Sequence, residues 1–150
     1  MNGDRFQILL VEDNAADVRL MREAMGEART PNDLQVAGDG ELALAFLKGE
    51  TPEAEHAAVD LVLLDLNLPR KSGLELLVEI RDDAELQLTP VIVLTTSTAE
   101  ADVRNSYGQG ANCFIVKPVD FEHFRVVVAA IDQFWLNVAL LPGPGTDTQG

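Results

Sequence analysis

Five short stretches carry residue types suited to holding phosphate beside a cation. They are Val11-Glu12-Asp13-Asn14, Leu63-Leu64-Asp65-Leu66-Asn67-Leu68-Pro69, Gly73, Leu94-Thr95-Thr96-Ser97 and Val116-Lys117-Pro118. Together they supply three carboxylates, a hydroxyl and an ammonium. Carboxylates suit a hard divalent cation such as Mg²⁺, while threonine and lysine suit phosphate oxygens. Glycine aside, each stretch places its polar residues directly after a β-branched or leucine-rich run. A parallel sheet would set those residues along one edge, at the carboxyl ends of its strands, where open α/β sheets bind ligands.

The elements that must position them are legible as alternation. Short apolar runs at 6–11, 34–37, 61–64, 91–94 and 112–116 read as strands. Helical patterns lie between them, at 14–27, after Gly38-Asp39-Gly40, at 72–81 and at 99–107; a last one starts near Asp120 and extends toward Leu141. Asn14 stands where it can cap the first of these helices. Leu61 to Leu64 is wholly apolar and is expected at the centre of the sheet. Five strand–helix units predict an α/β fold, a doubly wound five-stranded parallel sheet with helices on both faces. The 150 residues fit one domain. The tail 142–150, rich in Gly, Pro and Thr, is expected to be disordered.

Asp65 ends the most apolar strand, and Glu12 and Asp13 end the first, a candidate neighbour. Three carboxylates that close repel and raise one another's pKa. A divalent cation relieves the conflict, and an open carboxylate beside it can act as a nucleophile toward phosphorus. Thr95 and Lys117 are then candidates for the phosphate oxygens. Each piece alone has a plainer reading, as a helix cap or a turn; all of them in order at strand ends do not.

This pattern resembles the response-regulator receiver domain of two-component signalling, over about residues 5–141. An acidic pair, D-x-x-[LM]-P-x-x-x-G, Thr/Ser and Lys-Pro are all present, with 30 residues from Asp65 to Thr95 and 22 from Thr95 to Lys117. The resemblance implies strand order 2-1-3-4-5 and a phosphoryl group on Asp65, received from a sensor histidine kinase. It implies Mg²⁺ held by Asp13, Asp65 and the Asn67 backbone carbonyl, with Glu12 acting through water. It makes Thr95 the switch hydroxyl, Lys117 the phosphate-binding lysine, Phe114 the switch aromatic, and Lys117–Pro118 a cis peptide. Asn67 and Ser97 would flank the path of attacking water. The combination L-P-R-K-S-G, T-T-S, Y-x-x-G-A-N-C-F and a late F-W-L…L-P is similar to single-domain receivers serving phytochrome-type sensor kinases. Two departures stand out: Thr96 where a small residue is usual, and the basic pair Arg70-Lys71 beside Asp65.

Composition narrows the partners. A net charge of −14 argues against nucleic acid and against anionic membrane surfaces. Residues 1–7 show no signal-peptide pattern, and one cysteine, Cys113, permits no intrachain disulfide, in keeping with a cytoplasmic protein. Gly38-Asp39-Gly40 lacks the third glycine of a dinucleotide fingerprint, and there is no P-loop. His56 and His123 have no cysteine or second histidine near them in sequence and read as solvent-facing.

The last helix is apolar beyond need. Fifteen of the 21 residues from 121 to 141 are apolar, where a helix with one buried face needs about three in seven. Asp120, Glu122, Arg125 and Asp132 interrupt a run that is already short, which argues against a membrane span. A homodimer through Phe134, Trp135 and Leu136 is expected; the alternative is a longer helix packed wholly on its own domain. Two other functions compete with a phosphorylatable receiver that catalyses only its own phosphorylation and dephosphorylation. One is an aspartate-dependent Mg²⁺ phosphohydrolase, which usually carries a second acid where Asn67 stands. The other is a pseudo-receiver that only docks, against which the intact Asp65, Thr95 and Lys117 argue.

Overall fold

The computed structural model describes residues 5–51, 58–96 and 99–136. Strict alternation along the strands splits the apolar side chains into two cores. β1 (Phe6–Val11), β2 (Asn32–Ala37), β3 (Leu61–Leu64), β4 (Val91–Thr95) and β5 (Cys113–Val116) pair in parallel, in the order β2-β1-β3-β4-β5. Leu9, Val11, Val62, Leu64, Val91 and Val93 face one way and pack on Ala43, Phe46, Leu76, Leu77 and Ile80. Ile8, Leu10, Leu61, Leu63, Ile92 and Leu94 face the other way, onto Met21, Ala24, Met25, Phe124, Val128 and Ile131. The first group of helix residues lies on α2 (Gly40–Leu47) and α3 (Gly73–Asp82), the second on α1 (Ala15–Gly26) and α5 (Phe121–Phe134). α4 (Glu100–Gly108) completes the five helices of the described residues. The doubly wound sheet and its strand order are as expected. No helix among the described residues is long and apolar enough to cross a membrane.

The helices start where side chains can take their orphan N–H groups. Asn14 Oδ1 accepts from the Asp17 N–H at 2.9 Å, Asp39 Oδ1 from Leu42 at 2.8 Å and Asp120 Oδ1 from His123 at 2.9 Å. Ser72 and Glu75 form a reciprocal capping box at the head of α3. At the other end of α3, Arg81 donates to the carbonyls of Gly110, Gln87 and Thr89 and to Asn112 Oδ1. That side chain ties the α3–β4 and α4–β5 connections together at the edge opposite the carboxylates.

Three expectations need correction. No peptide bond among the described residues is cis, so Lys117–Pro118 is trans. Trans is the lower-energy isomer before proline, by about 0.5–1 kcal/mol, and in it the Lys117 N–H already reaches the Thr95 carbonyl at 2.7 Å. The last helix ends at Phe134, with Trp135 as its C-cap, short of Leu141. Leu136 is 4% exposed and belongs to the core between the sheet, α1 and α5, so it offers nothing to a second subunit. The stretch beyond 136 into which the last helix was expected to extend, the tail 142–150, His56 and Ser97 lie outside the described residues.

Candidate functional site

Chain direction creates the site. From β1 the chain crosses to β2 on one side, and from β2 it returns past β1 to β3 on the other. The crevice between the carboxyl ends of β1 and β3 is therefore the switch point, and Glu12, Asp13 and Asp65 sit there. Parallel pairing puts Val11 beside Leu64, which fixes the residues that follow each of them as neighbours. One carboxylate oxygen from each of Glu12, Asp13 and Asp65 lies within 4.8 Å of the other two. Glu12 and Asp65 are buried, Asp65 to 5% exposure, while Asp13 is exposed at the rim.

Lys117 and two backbone N–H groups donate to the buried pair Glu12 and Asp65. Lys117, at the end of β5, aims its ammonium at Glu12 Oε1 (2.8 Å), Asp17 Oδ2 (3.0 Å) and Asp65 Oδ2 (3.1 Å). The Asn14 N–H donates to Glu12 Oε2 at 3.1 Å, and the Asn67 N–H to Asp65 Oδ1 at 3.2 Å. Burial pushes the Glu12 carboxyl up to about 7, with the Lys117 contact opposing the rise and the nearby Asp65 charge adding to it. Burial alone would lower the Lys117 pKa; its bonds to Glu12 and Asp17 and the charges of Glu12 and Asp65 outweigh burial and raise it above the usual lysine range. One cation among this many acids leaves excess negative charge, a donor set fitted to a hard divalent ion.

Thr95 ends β4 with its side chain wholly buried, and its Oγ1 has no hydrogen-bond partner among the described residues. A buried hydroxyl without a partner costs free energy and needs a reason. Thr95 stands one strand over from Asp65, at the end of the neighbouring β4. Gly73 closes the floor. A Cβ there would lie 2.6 Å from the Leu66 Cα and closer still to the Asp65 carbonyl oxygen, and the Gly73 N–H donates to the Leu66 carbonyl at 3.0 Å. Gly40 does the same for the far side of that loop, where a Cβ would lie 2.5 Å from the Lys71 carbonyl oxygen.

The structure thus brings Glu12, Asp13, Asp65, Asn67, Thr95 and Lys117 to one edge. Phe114 is half-buried beside it, on the outer strand; its N–H donates to Tyr107 Oη at 3.2 Å and its side chain packs on the α2–α3 core. The basic pair is turned elsewhere. Arg70, with a left-handed φ of 67°, stands 3.8 Å from Asp39, and Lys71 pairs with Glu79. Asp17 is a site residue that sequence reasoning passed over. Its only signal was its place three residues after the Asn14 cap, a position that ordinarily serves the helix itself. A groove of about 1010 Å³ between the end of α1 and α5 is lined by none of these residues.

A parallel sheet of order 2-1-3-4-5, with an acidic cation site, a free hydroxyl and a lysine at its switch point, defines a class of α/β domain that meets phosphate beside a metal. Comparison with known proteins gives the family. Residues 8–129 match the response regulator receiver domain. Response regulator Rcp1 of Synechocystis is 41% identical over 135 residues, covering 90% of this chain and 92% of that protein. The crystal structure of the phosphorylated cyanobacterial phytochrome response regulator RcpA superposes with a TM-score of 0.86 at 43% identity, covering 92% of this chain and 99% of that one. The Mn²⁺-bound form of response regulator Rcp1 superposes at 0.84 with 40% identity, over 91% and 99% of the two chains. This chain belongs to the response regulator receiver family, and it is a response regulator of two-component signalling, homologous to phytochrome response regulators.

Proposed function

We propose that this protein receives a phosphoryl group on Asp65 from a phytochrome-type sensor histidine kinase, with Mg²⁺ as the cation. One observation carries the reading: the buried Asp65 carboxylate lies 3.1 Å from the Lys117 ammonium and within 4.8 Å of Glu12 and Asp13. The Asp13 and Asp65 carboxylates and the Asn67 backbone carbonyl would hold the Mg²⁺, and Glu12 would support it through water. When bound, the ion would draw charge from the phosphoryl oxygens and offset repulsion from the acids. A carboxylate oxygen of Asp65 attacks phosphorus in line. The phosphorus–nitrogen bond to the kinase histidine breaks, and that nitrogen keeps the electron pair. Lys117 then trades Asp65 Oδ2 for a phosphoryl oxygen, and Thr95 Oγ1 donates to another. Phe114, on the strand paired with that of Thr95, carries the change toward Tyr107 and α4.

The only substrate consumed is the phosphodonor, once per Asp65, until water releases phosphate. Full-length protein given acetyl phosphate and Mg²⁺ should gain one phosphoryl group by intact mass. Steady turnover of phosphomonoesters would instead make it a phosphohydrolase, and no reaction would make it a docking module. Asp13→Ala removes a direct charge from the cation and should weaken Mg²⁺ binding about 10-fold or more, roughly 1.4 kcal/mol per decade. Calorimetry checks this, and an unchanged affinity would move the cation off Asp13.

We place the protein in the cytoplasm, where a kinase finds ATP, and read it as a homodimer through α5. Phe134 is 51% exposed, stands edge-on to Trp135 with ring centroids 5.5 Å apart, and has exposed Val126 on the same helix. Because Trp135 packs partly on its own core, Phe134→Asp is the cleaner disruption. Light scattering should show a dimer for the wild type and a monomer for Phe134→Asp. A wild type that stays monomeric at high micromolar concentration sinks the dimer.

A further inference from the structure

Asp17 sits in the first turn of α1, 100 residues from the lysine it contacts. In the standard capping box, the third helical residue reaches back with its carboxylate to the N–H of the cap residue. α3 does this with Ser72 and Glu75. α1 has the cap, Asn14 Oδ1 to the Asp17 N–H, but the Asn14 N–H is already taken by Glu12 Oε2 at 3.1 Å. The Asp17 carboxylate is thereby released from helix capping and turns to Lys117, accepting from its ammonium at 3.0 Å. An ammonium has three N–H groups. Those of Lys117 go to Glu12, Asp17 and Asp65, and its side chain is only 6% exposed. Two of those partners belong to the acidic cation cluster. Asp17 stands outside that cluster, at 25% exposure, and has no other part in the site.

We propose that Asp17 is a positioning residue for Lys117: its carboxylate anchors the ammonium from the α1 side, so that one N–H stays aimed at Asp65, where the phosphoryl oxygen arrives. This rests on the phosphoryl-acceptor reading above. With Asp17 gone, two acceptors remain and the long side chain is free to swing about them, so its interaction with the phosphoryl group weakens. The charge of Asp17 is not what matters, since it lies among other acids. An amide oxygen in the same place should hold Lys117 nearly as well.

The test uses the full chain and beryllofluoride, a phosphoryl mimic, with Mg²⁺. Calorimetry should show Asp17→Ala binding beryllofluoride about 10-fold more weakly than wild type, the size of one lost charge-assisted hydrogen bond. Asp17→Asn should stay within about 3-fold of wild type. Mg²⁺ affinity measured without beryllofluoride should change little in either variant, which separates loss of the lysine anchor from damage to the cation site. Equal or tighter beryllofluoride binding by Asp17→Ala overturns the proposal, as does Asp17→Asn behaving like Asp17→Ala. A wild type that binds no beryllofluoride would overturn the phosphoryl-acceptor reading itself.

Discussion

Asp65→Asn should reduce phosphorylation to background, a loss of at least about 100-fold, because the amide offers no anionic nucleophile. The neighbours cannot substitute. Glu12 is fully engaged, one oxygen on Lys117 and the other on the Asn14 N–H, and Asp13 stands exposed at the rim. The substitution is nearly isosteric and removes one of three close carboxylates, so folding should survive. Lys117 keeps Glu12 and Asp17, and an amide oxygen can still accept from it. Label transfer from acetyl phosphate or from a histidine kinase reports the first effect, and a thermal melt the second. Wild-type labelling in a folded Asp65→Asn variant would take Asp65 out of its role.

Gly73→Ala should be the most damaging single methyl in the described part of the chain. The new Cβ would meet the Asp65 carbonyl oxygen and, at 2.6 Å, the Leu66 Cα. Both are backbone atoms, so neither can rotate away as a side-chain tip would. Relief requires moving the end of β3 or the start of α3, where Leu76 and Leu77 are fully buried against the sheet. Overpacking of this kind costs about 1–3 kcal/mol, and contact with backbone puts this site at the upper end. Any shift also moves the carbonyl of Asp65, so the labelling rate should fall along with stability. Urea denaturation gives the first number; a change under about 0.5 kcal/mol, within the range of ordinary surface substitutions, would show that the loop beneath Asp65 has room to spare.

What the sequence determines by itself is what depends on near neighbours. Short continuous apolar runs marked 6–11, 61–64 and 91–94 as strands, and the unbroken Leu61 to Leu64 run put β3 in the middle, because a strand buried on both faces has no polar side. Asp65, Thr95 and Lys117 each follow such a run, so their place at one edge was readable before any contact was known. Asn14, Ser72 and Asp120 announced helix starts, since a cap reaches only two or three residues ahead.

What the tertiary structure alone decided are meetings between distant residues. Lys117 finds Asp17 across 100 positions because β5 and the head of α1 rise to the same edge, and because Glu12 has taken the N–H that Asp17 would otherwise cap. Arg81 closes the opposite edge through backbone carbonyls that carry no side-chain signature. Leu136 looked like part of an exposed F-W-L patch, but the helix ends at Phe134 and Leu136 turns into the core, leaving Phe134 outside. Composition counts apolar residues; only packing decides which of them find partners within the same chain.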